Sequence, residues 1–193
     1  VKAQGQGCDI IFGMMARFSL FFLLSFAAWP QLKKTEVVKA TTPADDAKSL
    51  SATVPDAVSV SAKFDRVVIV RFKHQADLLA GLAQQVKEQK IKNAVILNGV
   101  GSVMATHYHV VNNRSFPSKN TYLEDPTKSA DIVNVSGFVI NGKLHPHFTM
   151  ADADKAFGGH LEAGTRVFTF AIVTLGVLPD SVDMGRFDDK TWR

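Results

Sequence analysis

The stretch Asp131-Ile132-Val133-Asn134-Val135-Ser136-Gly137-Phe138-Val139-Ile140, then Asn141-Gly142, then Lys143-Leu144-His145-Pro146-His147-Phe148-Thr149 decides the fold class. Two runs rich in β-branched and aromatic residues flank an Asn-Gly pair, and a type I′ turn needs the positive φ that both residues tolerate. The spacing predicts an antiparallel hairpin. Upstream, Arg66-Val67-Val68-Ile69-Val70-Arg71-Phe72 is short and β-branched, as a largely buried strand is. From Gln75 to Gln89, Leu78, Leu79, Leu82 and Val86 recur at helical spacing while Gln84, Lys87 and Glu88 take the other face. Ala94-Val95-Ile96-Leu97 restarts the strand pattern, Asn98-Gly99-Val100-Gly101-Ser102 reads as a turn, and Ala105 to Val111 returns as a strand. A further strand is expected at Arg166 to Leu175. One amphipathic helix against many strands on short turns gives an α+β class with a mainly antiparallel sheet.

The 193 residues, 46% hydrophobic and 21% charged, suit one folded domain with extra material at the ends. Residues 63–180 form the expected domain. Residues 31–62, with Lys33-Lys34, Thr41-Thr42-Pro43 and Asp45-Asp46, lack a sustained period and read as a linker. Residues 181–193 read as a charged C-terminal tail. Within residues 1–30, Phe18 to Ala28 is an uncharged run of eleven residues preceded by Arg17 and closed by Ala27-Ala28. A spanning helix needs about 20 apolar residues and a secretory core about 7 to 15, so the run reads as an export signal starting at Met14 or Met15, with upstream residues before it. A periplasmic or secreted location follows, with no stable membrane span. A buried helix or an uncleaved anchor is the alternative, and a cytoplasmic protein follows if the run is not a signal.

Formal net charge is +4, and residues 63–180 hold 13 basic and 10 acidic side chains. No polybasic DNA-gripping tail is present. Cys8 is the single cysteine, which excludes an intrachain disulfide and any multi-cysteine metal cluster. A metal must therefore use histidine and carboxylate.

His145 and His147 alternate on one expected strand, so both imidazoles face the same way with backbones about 6.5 to 7 Å apart. His160, behind Gly158-Gly159, could supply a third ligand on a glycine-hinged loop and leave a position open to water or substrate. Zinc or another divalent ion is the expected occupant; hydrogen-bonded or exposed histidines are the competing reading. Asp152 and Asp154 follow closely enough to support the ligands or act as a base, although a solvated loop accounts for them as well. The second such pair, His107-Tyr108-His109, has no glycine-flanked histidine nearby and reads mainly as strand residues on a polar face, with direct involvement in binding as the alternative.

Other motifs do not develop. Gly99-Val100-Gly101 has Met104 where a dinucleotide fingerprint needs its third glycine, so it reads as close backbone packing. No nucleophile elbow or phosphate-binding loop occurs. Asn113-Arg114-Ser115 and Asn134-Val135-Ser136 match the glycosylation sequon, the second within an expected strand.

The order Val135-Ser136-Gly137, Asn141-Gly142-Lys143, His145-Pro146-His147, Ala151-Asp152 and Gly158-Gly159-His160-Leu161-Glu162-Ala163-Gly164 resembles the plant and prokaryote conserved (PPC) domain, also described as PD1-like. Leu97 to Ser102 resembles that family's earlier glycine turn, and the likeness runs over about residues 64–179. The resemblance implies an αβ domain that forms homotrimers, with bacterial members similar to proteins that hold zinc at the positions of His145, His147 and His160. It also carries the family label "putative DNA-binding", although plant members grip DNA through AT-hooks and no Arg-Gly-Arg hook occurs here. Two functions stay open. One is an oligomeric binding domain with a three-histidine metal site and a small-molecule or DNA partner. The other is an exported metal-dependent hydrolase or lyase acting on a small substrate, with Asp152, Asp154 or Glu162 as base.

Overall fold

The computed structural model describes residues 34–40 and 52–188. The export run, Cys8 and the last residues of the charged tail lie outside them. Among the described residues, eight strands and one α-helix follow one another as β1 (Thr35–Ala40), β2 (Arg66–Phe72), α1 (Leu78–Glu88), β3 (Ala94–Val111), β4 (Lys119–Asp125), β5 (Ala130–Ile140), β6 (Lys143–Ala151), β7 (Ala156–Leu161) and β8 (Arg166–Val177), with a short 3-10 turn at Gly185–Asp188. Every named strand pair is antiparallel. The α+β class expected from the sequence is the class found.

The hairpin that anchors the reading forms as expected. Asn141 has φ 50° and Gly142 φ 76°, and Ile140 faces Lys143 across the turn. β3 is the hub, pairing with β4, β5, β7 and β8, so that the ring β3–β5–β6–β7 closes back on β3. Inside lie Val135, Phe148, Met150 and Leu161, joined by Tyr108, whose ring meets Phe148 edge-on at 6.1 Å.

α1 covers one face of the β2–β8 pair. Asp77 caps it by accepting from the Ala80 amide at 2.9 Å and also accepts from the Gly164 amide at 2.7 Å, so one carboxylate ties the helix start to the strand entering β8. Leu78, Leu82 and Val86 form the buried stripe, against Val70 and Phe72 among others. The opposite face of this sheet is different. Ile69 is 69% exposed, and Val67, Val100, Phe168 and Phe170 are exposed with it.

Three expectations need correction. Asn98 to Ser102 is not a turn: β3 runs straight through it, with register shifts against β8 between Ile96 and Asn98 and between Gly101 and Val103. A Cβ on Gly99 would sit 2.6 Å from Val135, which is the close packing the glycines suggest. His160 is not on a loop, because Ala156–Leu161 is a strand. Third, the segment read as a linker contains β1, an exposed edge strand paired with β4.

Candidate metal centre

Strand register assembles the site. One residue from each of six strands lines up as Ser136, His147, His160, His109, Tyr122 and Val37, on β5, β6, β7, β3, β4 and β1 in turn. Because Tyr108 turns inward, period-2 alternation puts His107 and His109 outside the ring. His145 lies two residues before His147, on the same face, with Pro146 buried between them.

β7 reaches this position because it lacks side chains at Gly158 and Gly159. A Cβ on Gly158 would lie 2.0 Å from the Phe148 carbonyl oxygen, and one on Gly159 would lie 2.4 Å from that of His109. The glycines that look like a hinge in the sequence are the condition for a strand squeezed between β6 and β3.

His145, His147 and His160 each have a ring nitrogen within 4.8 Å of the others'. Ligands on a tetrahedral ion with bonds near 2.0–2.1 Å stand about 3.4 Å apart, so these three nitrogens would have to close in from their present separation to share one ion. The rings of His145 and His147 are stacked at 5.4 Å, and His160 meets them edge-on at 4.8 and 5.1 Å. Burial, then the neighbouring charges of His109, His145 and His147, pushes His160 down to about 4. Burial, then His145 and His109, also lowers His147. Both effects favour neutral imidazole, the form that ligates. The donor set fits zinc or another borderline divalent ion, which would gain three uncharged nitrogens here.

The carboxylates divide. Glu162 accepts from His109 Nδ1 at 2.7 Å, and an ionised carboxylate can only accept, so Nδ1 carries the proton. The His109 ring then stacks on His160 at 4.6 Å and packs at a tilt against Tyr122 at 4.7 Å, and Lys39 Nζ lies 4.7 Å from the centre of the Tyr122 ring. Asp152 is engaged elsewhere: it pairs with Lys128 and accepts from the amides of Asp154 and Lys155. The Lys128 contact, then those amides, holds its carboxyl well below the usual carboxylate range. Asp154 is exposed in the same turn. Neither aspartate touches the histidines among the contacts described. His109 and Tyr122 are the neighbours that spacing alone did not place at the site. The available signal was the alternation in His107-Tyr108-His109, but the partner strand was needed to use it.

Two cavities open beside the cluster. One, of about 700 Å³, is lined by Val95, Ile96, Phe138, Ile140 and Phe187 together with His145 and His147. The other, of about 570 Å³, includes His145, His160, His109, Tyr122, Asn120 and Lys143. Among the described residues, no helix is long and apolar enough to cross a membrane.

Comparison with known proteins agrees with this architecture. A metal-containing protein from Archaeoglobus fulgidus superposes with a TM-score of 0.56 at 18% identity, covering 70% of this chain and 96% of that one. A plant- and prokaryote-conserved protein from Pyrococcus horikoshii gives 0.54 at 18% identity over 70% and 94%. A protein from Bacteroides thetaiotaomicron named "putative DNA binding protein" gives 0.51 at 21% identity over 63% and 83%. These likenesses establish the fold. No curated protein sequence matches the chain significantly. Residues 59–179 match the Plants and Prokaryotes Conserved (PCC) domain, the PPC family named above, and the chain belongs to that family.

Proposed function

We propose that the chain is an oligomeric binding domain organised around a divalent metal ion, zinc by preference, at His145, His147 and His160. The observation that carries this reading is the convergence of three imidazoles from two adjacent strands, with His160 and His147 both shifted toward the neutral form. Support also comes from the fold shared with the metal-containing Archaeoglobus protein. Once bound, such an ion offers a positively charged position for a ligand.

Self-association completes the reading. Ile69 faces Thr174 and Arg71 faces Ile172 across β2–β8, while Val100 faces Ile172 across β3–β8. With exposed Val67, Ile69, Val100, Phe168 and Phe170, this is a contiguous apolar face on the side away from α1. A face of that kind suits burial against another copy; the homotrimer is the assembly the family resemblance implies. Tight grip on duplex DNA is not part of the proposal, because 13 basic against 10 acidic residues over 63–180 neutralise few phosphates per subunit. Light scattering and elemental analysis on one preparation test the whole reading. A trimer with about one zinc per chain is expected, and a metal-free monomer at micromolar concentration would refute it.

A further inference from the structure

We infer that the cavity between the histidine cluster and β1 is the binding site for a small organic carboxylate. This rests on the metal reading above and adds its ligand class. Three neutral imidazoles contribute no negative charge, so a divalent ion held by them keeps its full charge and favours an anion at its free position. Beside that position, the cavity of about 570 Å³ lies within the usual range of roughly 300–1,000 Å³ for small-molecule sites.

The lining selects among anions. Lys143 and Asn120 both reach the cavity, and among the described residues neither the ammonium nor the side-chain amide has a hydrogen-bond or ion-pair partner. Tyr122 and His109 supply adjoining ring surface, and Ala40, Ile140 and Leu144 supply aliphatic surface. Asp188 is the one carboxylate in this lining, and the ion with Lys143 outweighs it. Lys143 could meet a phosphate only as a point charge, and the lining holds neither an arginine fork nor a helix N-terminus to satisfy its further oxygens. A carboxylate needs fewer donors, and its carbon body has apolar wall to rest on.

β1 adds to the site from outside the family-matched stretch. It lies outside the family-matched residues 59–179, yet Ala40 forms part of the wall and Lys39 sits over Tyr122. The N-terminal strand therefore narrows one side of the pocket and adds a cation near it.

The test is calorimetry on the full chain at pH 7.5, zinc-loaded and metal-free, with benzoate, benzyl alcohol and inorganic phosphate as probes. Benzoate should bind the zinc-loaded protein and neither the metal-free protein nor the zinc-loaded Ala40→Trp variant, which fills the wall. Lys143→Met should weaken benzoate roughly tenfold, the loss of one charge-assisted contact, while Lys87→Met on α1 leaves it unchanged. Benzyl alcohol should bind at least about tenfold more weakly than benzoate. Absence of benzoate binding to protein shown by elemental analysis to hold zinc overturns the ligand class but leaves the metal site standing. Tighter phosphate than benzoate binding overturns it too, as does equal benzoate binding without metal. A chain that takes up no zinc overturns the metal reading and this inference together.

Discussion

The chain contains two His-X-His pairs that read alike and behave differently. His145 and His147 on β6 both face outward; His147 meets His160 across the β6–β7 register, and the His145 ring meets His160 edge-on from just beyond it. On β3, His109 meets the same His160 from the other side, whereas His107 Nδ1 engages the Ala163 carbonyl at 2.6 Å. Alternation decides which face a side chain takes, but the neighbouring strand's register decides what it meets there. β7 serves both pairs and makes only one of them a candidate chelate.

The largest way to break the comparison is to move β7. Gly158→Val places a side chain against the Phe148 carbonyl and should cost about 3 kcal/mol or more, enough to abolish cooperative melting or lower Tm steeply. Gly142→Ala has open space around its Cβ and only the φ of 76° to contend with, so it should cost about 1 kcal/mol. Thermal unfolding of the two variants side by side checks the ranking, and equal losses would show that β7 tolerates the bulk.

Next comes the metal. His147→Ala should lower zinc affinity at least about 100-fold, while His107→Ala should leave it within about twofold, as read by competition with a chromophoric chelator. Equal losses would mean that the two pairs do the same work. A smaller effect belongs to His109: its replacement by alanine removes the ring packed on His160 and the Glu162 contact, and should weaken zinc about tenfold.

Acid sharpens the same contrast. His160 titrates near 4 in the fold against about 6.5 unfolded, so the metal-free native state binds fewer protons than the unfolded chain across that window. The corresponding stability is present above about 6.5 and is lost as pH falls through about 4. Urea midpoints of metal-free wild type should therefore fall more between pH 6.5 and 4 than those of His160→Gln. Parallel curves would remove His160 from the account.

How far the sequence carried this can be followed in particular residues. The hairpin and the outward alternation of His145 and His147 were legible because Asn141-Gly142 and period 2 are local signals. The same dipeptide at Asn98-Gly99 misled, since tertiary pairing of β3 with both β5 and β8 holds it in a bulged strand. Gly158-Gly159 suggested a hinge because the need for absent side chains lies in Phe148 and His109, strands away in sequence. Lys119–Asp125 carries little apolar content, and Thr35–Ala40 has only the short Val37-Val38 run; both became strands by pairing with each other. His109 and Tyr122 could not be placed at the site without those pairings.

X-ray absorption at the zinc edge of the zinc-loaded full chain examines the central claim most directly. The account predicts three imidazole nitrogens at about 2.0–2.1 Å with one further light-atom ligand, and loss of one imidazole in zinc-loaded His147→Ala. A wild-type shell with one imidazole or none, or a spectrum unchanged by that substitution, would contradict it.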